Sequence, residues 1–143
     1  MNYNINYYVE KYVLYCSQLC RDEDDYTKEK VKKHNQAMKS LNKLKEEIGI
    51  DIQLKNSVYS MLLNNSDIYV QQSAATDCLN NDIHITESLK ILKRISNSRD
   101  RMASMEAKRI LRIWKGEISP DDPFWQDNQT HRDGSSVSDE STN

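Results

Sequence analysis

Glycine and proline are scarce in this chain of 143 residues, which contains three glycines and two prolines. All-β folds need many turn residues of these two types, so the composition argues against a β-sandwich or a β-barrel and for helices. Both prolines, Pro120 and Pro123, lie near the C-terminal end, so proline interrupts no helix before them. The composition therefore predicts an all-α protein.

Cysteine and histidine are also few, with three residues of each type. Cys16, Cys20 and Cys78 fall on apolar helix faces, and the histidines show no ligand spacing, so we expect buried reduced thiols, no metal site and no cofactor. No apolar run approaches the roughly 20 residues of a membrane span. The N-terminus has neither the basic nor the apolar region of a signal peptide, so we expect a cytoplasmic protein without membrane contact.

The chain also lacks a recognisable catalytic motif. Its most concentrated group of carboxylates, Asp22-Glu23-Asp24-Asp25 (the acidic segment), would need a cleft and a partner acid or base for general acid–base chemistry. The sequence offers no candidate for either. We therefore expect a binding module and not an enzyme.

What the sequence does contain is apolar residues at helical spacing. The pattern predicts six helices, at about 5–20, 27–48, 52–63, 67–79, 86–95 and 99–115. Gly49 is predicted to end the second helix in a left-handed conformation, and Asp67 to cap the fourth. The buried side of the second helix is predicted to contain Val31, Met38, Leu41, Leu44 and Ile48.

The last four helices repeat one pattern. Ala75 and Ala107 correspond at an offset of 32 residues, as do Leu79 and Leu111. A period of roughly 30–45 residues, with small residues at matched positions, is typical of stacked antiparallel helical hairpins, or an α-solenoid. We predict one helical-repeat domain over residues 1–117, followed by a largely disordered tail at 118–143 (the acidic tail).

Charge is unevenly distributed along the chain. Residues 86–116 (the basic hairpin) carry nine Lys and Arg against three Asp and Glu, whereas residues 117–143 carry one and seven. The acidic segment lies between the first two helices. It serves either as capping and solvated surface or as a contact for a basic partner.

Candidate partner contacts follow from charge and expected exposure. Asp22, Glu23, Asp24 and Asp25 come first, as a negative patch. Tyr8 and Tyr12 lie on the first helix beside them, and these tyrosines are either core-edge residues or contacts for a partner. Gln71, Gln72 and Asp77 are predicted to lie off the apolar stripe of the fourth helix, on the concave face of the stack. Phe124 and Trp125 either fold back onto the basic hairpin or form a short motif that a partner binds.

Two stretches carry a resemblance to a known family. They are Val70-x-x-x-Ala74-Ala75-x-x-x-Leu79, preceded by Asp67 and a Leu-Leu helix end, and Ala103-x-x-x-Ala107-x-x-x-Leu111-x-x-Trp114-x-Gly116. Over residues 5–117 the chain resembles small bacterial HEAT-like repeat domains, whose members include immunity proteins of polymorphic and contact-dependent growth inhibition toxins. The resemblance implies an inhibitor that binds one toxin domain, often a nuclease, and covers its active or substrate site.

Two alternatives remain open at this point. The first is a HEAT-like scaffold or regulator, which would share every structural feature and differ only in its partners. The second is a nucleic-acid-binding module that uses the basic hairpin, although an isoelectric point of about 5.9 and the lack of a nucleic-acid-binding motif disfavour it. The cationic side chains of that hairpin are Lys90, Lys93, Arg94, Arg99, Arg101, Lys108, Arg109 and Arg112.

Overall fold

The computed structural model describes residues 4–19 and 27–121. These residues form six helices and no strand: α1 (Ile5–Ser17), α2 (Lys28–Ile48), α3 (Ile52–Leu63), α4 (Ile68–Asn81), α5 (Ile85–Ser96) and α6 (Arg101–Trp114). The all-α class is confirmed, and each helix end lies within three residues of its predicted position. Of the tail predicted to be disordered, residues 122–143 lie outside the described residues, as does the acidic segment.

Short polar side chains start five of the six helices. Asn4, Thr27, Asp51, Asp67 and Asp100 each accept a hydrogen bond from a backbone N–H in the first turn. Such caps satisfy N–H groups that have no partner within the helix. The predicted cap at Asp67 is confirmed. Helix α5 differs, because it follows a tight turn in which two residues have positive φ angles and no side chain caps it.

The prediction of a left-handed Gly49 is wrong. Gly49 has φ −73° and ψ −8°, so it extends the right-handed geometry of α2 before the chain turns at Ile50 and Asp51. Of the two glycines in the described residues, Gly116 adopts the left-handed conformation, with φ 77°. Its N–H bonds the carbonyl of Ile113, and the N–H of Glu117 bonds the carbonyl of Arg112, the paired bonds of a Schellman motif.

Helix α4 lies at the centre of the stack. It packs against α3, α5 and α6 and also contacts α1. Ala74 and Ala75 in α4, and Ala103 and Ala107 in α6, are fully buried, so their small side chains allow close helix approach. Helices α3 and α4 form one hairpin and α5 and α6 the next, consistent with the predicted stack.

The N-terminal hairpin covers one end of this stack. Helix α1 packs against both α2 and α3. It has 13 residues against 21 in α2, so it covers the C-terminal half of α2, where Leu41, Leu44 and Ile48 are buried. The prediction that Val31 is buried is wrong, because it lies in the uncovered half and is 39% exposed.

Candidate functional site

Among the described residues, several polar side chains meet in a buried cluster around Asp77, which we call the Asp77 cluster. Its carboxylate Oδ2 accepts hydrogen bonds from the hydroxyls of Tyr12, at 2.6 Å, and Tyr59, at 3.0 Å. Oδ1 forms an ion pair with Lys45 Nζ at 3.0 Å. The Tyr12 hydroxyl lies 2.7 Å from Ser73 Oγ, and since its proton goes to Asp77, it accepts from the serine. One carboxylate thus joins α1, α2, α3 and α4.

Helical spacing explains how these side chains meet. Tyr12 lies one turn before Cys16 on the buried face of α1, and Tyr59 follows Val58 on the buried face of α3. Ser73 and Asp77 are four residues apart, so they share one side of α4. The two rings meet edge to face with centroids 6.0 Å apart, and Lys45 Nζ lies 5.9 Å from the Tyr12 centroid.

Burial keeps both phenols protonated. Tyr12 is 0% exposed and Tyr59 2% exposed, and desolvation raises the pKa of each well above its usual value of 10.0. The negative charge of Asp77 raises both pKa values further. A neutral phenol donates a hydrogen bond to the carboxylate, whereas a phenolate would repel it. The two tyrosines therefore act as fixed donors and not as bases.

The chemical role that this geometry supports is structural. The carboxylate already has three partners, and those on Oδ2 come from side chains that are almost fully buried. A buried carboxylate is tolerated when its lone pairs are satisfied, and the bonds then fix the relative positions of the groups that donate them. The Asp77 cluster holds four helices in register.

Three predicted contact residues are therefore not on the surface. The expectation that Tyr12, Gln72 and Asp77 are exposed is wrong, since they are 0%, 7% and 9% exposed. Gln72 donates from Nε2 to the carbonyl of Ala103 at 2.7 Å, which joins α4 to α6. The physical reason is the central position of α4: it has neighbours on several sides, so residues off its apolar stripe are buried as well.

Two other candidates lie at the edge of the core. Tyr8 is half-buried and packs against the core, with its ring edge-on to exposed Tyr7 at 5.3 Å between centroids. Gln71 is also half-buried, where it donates to the carbonyl of Leu63 and accepts from Arg94 at 2.6 Å. Both side chains keep a solvent-facing part that a partner could contact.

The strongest candidates, Asp22, Glu23, Asp24 and Asp25, lie outside the described residues, so their role stays a prediction. Their place in the chain is nevertheless informative, because they connect α1 to α2. Both flanking helices contribute to the Asp77 cluster, through Tyr12 and Lys45. The described residues carry 18 Lys and Arg against 13 Asp and Glu, so the acidic segment belongs to an otherwise basic domain.

The basic hairpin presents many cations to solvent. Lys90, Lys93, Arg99, Arg101 and Lys108 are exposed. The predicted set also contains Arg94, Arg109 and Arg112, which contact the protein itself. Arg94 bonds Gln71, Arg109 donates to the Pro120 carbonyl at 2.8 Å, and Arg112 Nε lies 3.5 Å from the Glu117 carboxylate.

A second cationic surface follows the uncovered half of α2. A groove of about 540 Å³ there is lined, among the described residues, by Lys28, Val31, Lys32, Asn35, Gln36 and Lys39. Across residues 4–19 and 27–121, no three His, Cys, Asp or Glu side chains come together as a metal site would require. None of the described helices combines the length and hydropathy needed to cross a bilayer.

Sequence reasoning did not find the Asp77 cluster, although a signal was present. Asp77 directly precedes Cys78 and Leu79 and follows Ala74-Ala75 with Thr76 between them, so the surrounding segment is largely apolar. A carboxylate in such surroundings is buried only with partners, and hydroxyl-bearing aromatic residues on other helix faces were available. Which of the eight tyrosines would meet it depended on the helix packing.

Comparison of the chain with protein-family models, with curated proteins and with solved structures finds no match. The resemblance to HEAT-like immunity domains therefore stays a prediction that rests on helix-packing residues.

Proposed function

We propose that this protein is an immunity-type inhibitor that binds one cognate bacterial toxin domain in the cytoplasm and covers its active or substrate site. A nuclease is the toxin class that fits best, because nucleases present basic surfaces to bind phosphates. An acidic segment complements such a surface and accelerates association.

The observation that carries the proposal is the way the two helices around the acidic segment are held. Tyr12 of α1 and Lys45 in the last turn of α2 bond the same carboxylate of α4, so both helices that flank the acidic segment are anchored to the core. Binding residues are often found on connections that a rigid scaffold positions. The acidic segment concentrates four consecutive carboxylates in this connection, within a domain whose described residues carry more cations than carboxylates.

Affinity purification tests the proposal directly. A tagged chain is recovered from its native bacterium and washed at about 0.5 M salt, which screens exposed charge contacts. One stoichiometric polypeptide that stops growth when produced alone, and is neutralised by this chain, is the expected result. Recovery of nucleic acid that elutes as the salt rises, or of many substoichiometric proteins, would contradict it.

A charge-reversal comparison then maps the contact. The test variant replaces Asp22, Glu23, Asp24 and Asp25 with lysine, and association is measured with the purified toxin. Without the electrostatic attraction between the acidic segment and a basic toxin surface, association is expected to slow by about 10- to 1,000-fold at low salt. The matched control reverses four exposed glutamates at other places and keeps fast association: Glu10, Glu29, Glu46 and Glu106. Equal slowing in both variants would show that net charge, and not the acidic segment, governs binding.

The exposed basic hairpin supports a second candidate, a nucleic-acid-binding module. Lys90, Lys93, Arg99, Arg101 and Lys108 are all exposed, as phosphate contacts require. The logarithm of the binding constant for a labelled DNA duplex would then fall linearly with the logarithm of the salt concentration, because each neutralised phosphate releases a counterion. Replacing Lys90 and Lys93 with glutamine would reduce that slope, whereas the same change at Lys28 and Lys32 of α2 would not.

A general scaffold is the remaining alternative, and the number of partners separates it from an inhibitor. A scaffold holds several proteins and protects against none of them. The purification and growth assays therefore distinguish all three candidates.

A further inference from the structure

An apolar stripe runs along the outer side of α6. Met102, Met105 and Ile113 are three and eight residues apart, so they lie on one side of the helix, with Arg109 between them. Ala103 and Ala107 mark the opposite side, which is buried in the contact with α4 and α5. Met102 is 39% exposed, and Met105 and Ile113 are partly exposed. We call these three residues the α6 stripe.

The chain turns back along α6 immediately after the helix ends. The Schellman motif at Gly116 reverses its direction, and the Glu117 carboxylate then lies beside Arg112. One turn further back along the helix, Arg109 donates to the carbonyl of Pro120 at 2.8 Å. Residues 117–120 thus run antiparallel to α6, toward its N-terminal end.

Phe124 and Trp125 follow within reach of the α6 stripe. Phe124 is four residues beyond Pro120, and with Pro123 before it an extended chain covers about 12 Å over that distance. Met102 is seven residues before Arg109, which is about 10 Å along a helix. A segment of this length can therefore reach the level of Met102 and Met105 with the aromatic pair.

The distribution of charge favours contact between this segment and α6. Asp121 and Asp122 precede the aromatic pair and Asp127 follows it, whereas Arg101 and Lys108 lie on α6 near the stripe. Residues 117–143 have one cation against seven carboxylates, opposite in sign to the basic hairpin. Methionine contacts aromatic rings favourably and adapts its shape to them.

We propose that the α6 stripe is the docking site for the chain's own Phe124–Trp125 segment, which places the acidic tail across the basic hairpin. A docked tail shields the stripe from solvent and neutralises the exposed cations beside it. Any anionic ligand of the basic hairpin would then have to displace the tail first. This docking does not depend on the proposed inhibitor function.

Fluorescence of Trp125 in the full-length protein tests the docking. The chain contains two tryptophans, so Trp114→Phe leaves Trp125 as the single reporter. We expect its emission to be blue-shifted, and its acrylamide quenching constant several-fold lower, relative to a free peptide of residues 118–130. Met102→Ser combined with Met105→Ser is expected to restore peptide-like quenching. Circular dichroism confirms that this variant stays folded.

Two controls locate the docking site. Val31 lines the α2 groove and is 39% exposed, and Met61 is 46% exposed on α3, so each matches Met102 in exposure at another place. Val31→Ser and Met61→Ser are expected to leave Trp125 protected. Peptide-like quenching in the parent protein would overturn the proposal, as would protection that is lost in Val31→Ser. Protection that increases with protein concentration would also overturn it, by assigning the contact to the tail of a second copy.

Discussion

Replacing Asp77 with alanine should destabilise the fold severely, because it removes the acceptor shared by two buried phenols. The Tyr59 hydroxyl, on a side chain that is 2% exposed, loses the one partner that the structure gives it. The Tyr12 hydroxyl keeps Ser73 Oγ at 2.7 Å and can donate to it instead. Lys45 is partly exposed and can turn to water, so we assign it no cost.

The lost contacts determine how far the free energy of unfolding falls in the Asp77→Ala variant. A buried donor left without a partner costs about 1–3 kcal/mol, and a hydrogen bond to a charged group contributes about 1.5–3 kcal/mol. One orphaned hydroxyl and one weakened bond together give a loss of about 3 kcal/mol. That is a large share of the roughly 5–15 kcal/mol that stabilises a typical domain.

Urea unfolding followed by far-ultraviolet circular dichroism measures this loss. With a slope of about 1.5 kcal/mol per M, the midpoint should fall by about 2 M. Glu46→Ala removes an exposed carboxylate next to Lys45 and serves as the control, with a change within about 0.5 kcal/mol.

The companion variant separates lost hydrogen bonds from lost packing. This triple variant removes the two hydroxyl donors together with the acceptor, by Tyr12→Phe, Tyr59→Phe and Asp77→Leu. No buried phenol hydroxyl is then left without a partner at this site. It should be more stable than Asp77→Ala, because replacing all partners by apolar groups avoids orphaned donors. The reasoning is refuted if Asp77→Ala costs less than about 1 kcal/mol, or if the companion variant is the less stable of the two.

Three further predictions concern alkaline stability, glycine geometry and thiol reactivity. Tyr12 and Tyr59 have raised pKa values in the folded state, so their contribution to the free energy of unfolding is fully present below pH 10.0 and is lost above it. For two phenols the loss is about 2.7 kcal/mol per pH unit, which urea unfolding midpoints measured against pH check. A double Tyr→Phe variant whose stability falls equally steeply with pH would contradict this prediction. Gly116→Ala should lower the free energy of unfolding by about 1 kcal/mol, because a residue with a Cβ disfavours φ 77°. Gly49→Ala, at φ −73°, should be near neutral, and thermal unfolding compares the two variants. Burial raises the pKa of the Cys78 thiol to about 11, so we expect a thiol reagent at pH 8 to modify Cys78 only as fast as the protein unfolds. Peptide mapping measures the rate of this modification, and rapid labelling in the native state would count against the burial of Cys78.

Local sequence signals were sufficient for the helices because helix formation depends on neighbours within a few residues. Asp67 caps α4 as its position predicts, and the matched pair Ala75 and Ala107 is fully buried in both hairpins. The local sequence is enough to identify a 3.6-residue period, a capping residue and a helix-breaking residue, whatever the helix packs against.

The candidate site was less predictable, because exposure depends on how many helices surround a given one. An apolar stripe predicts one buried side, whereas α4 has neighbours on several sides, and this buries Gln72 and Asp77. The same reasoning failed in the opposite direction at Val31, where α1 is too short to cover α2.

The sequence by itself determined the all-α class, the six helices with their ends, and the separation of a basic hairpin from acidic segments, since composition, periodicity and charge are properties of the chain. Only the tertiary structure decided that Tyr12, Lys45 and Tyr59 meet at Asp77, and that Arg109 directs residues 117–120 back along α6. The contacts of the Asp77 cluster join residues on different helices, up to 65 positions apart. Their partners are selected by the relative placement of whole helices, which no local pattern specifies.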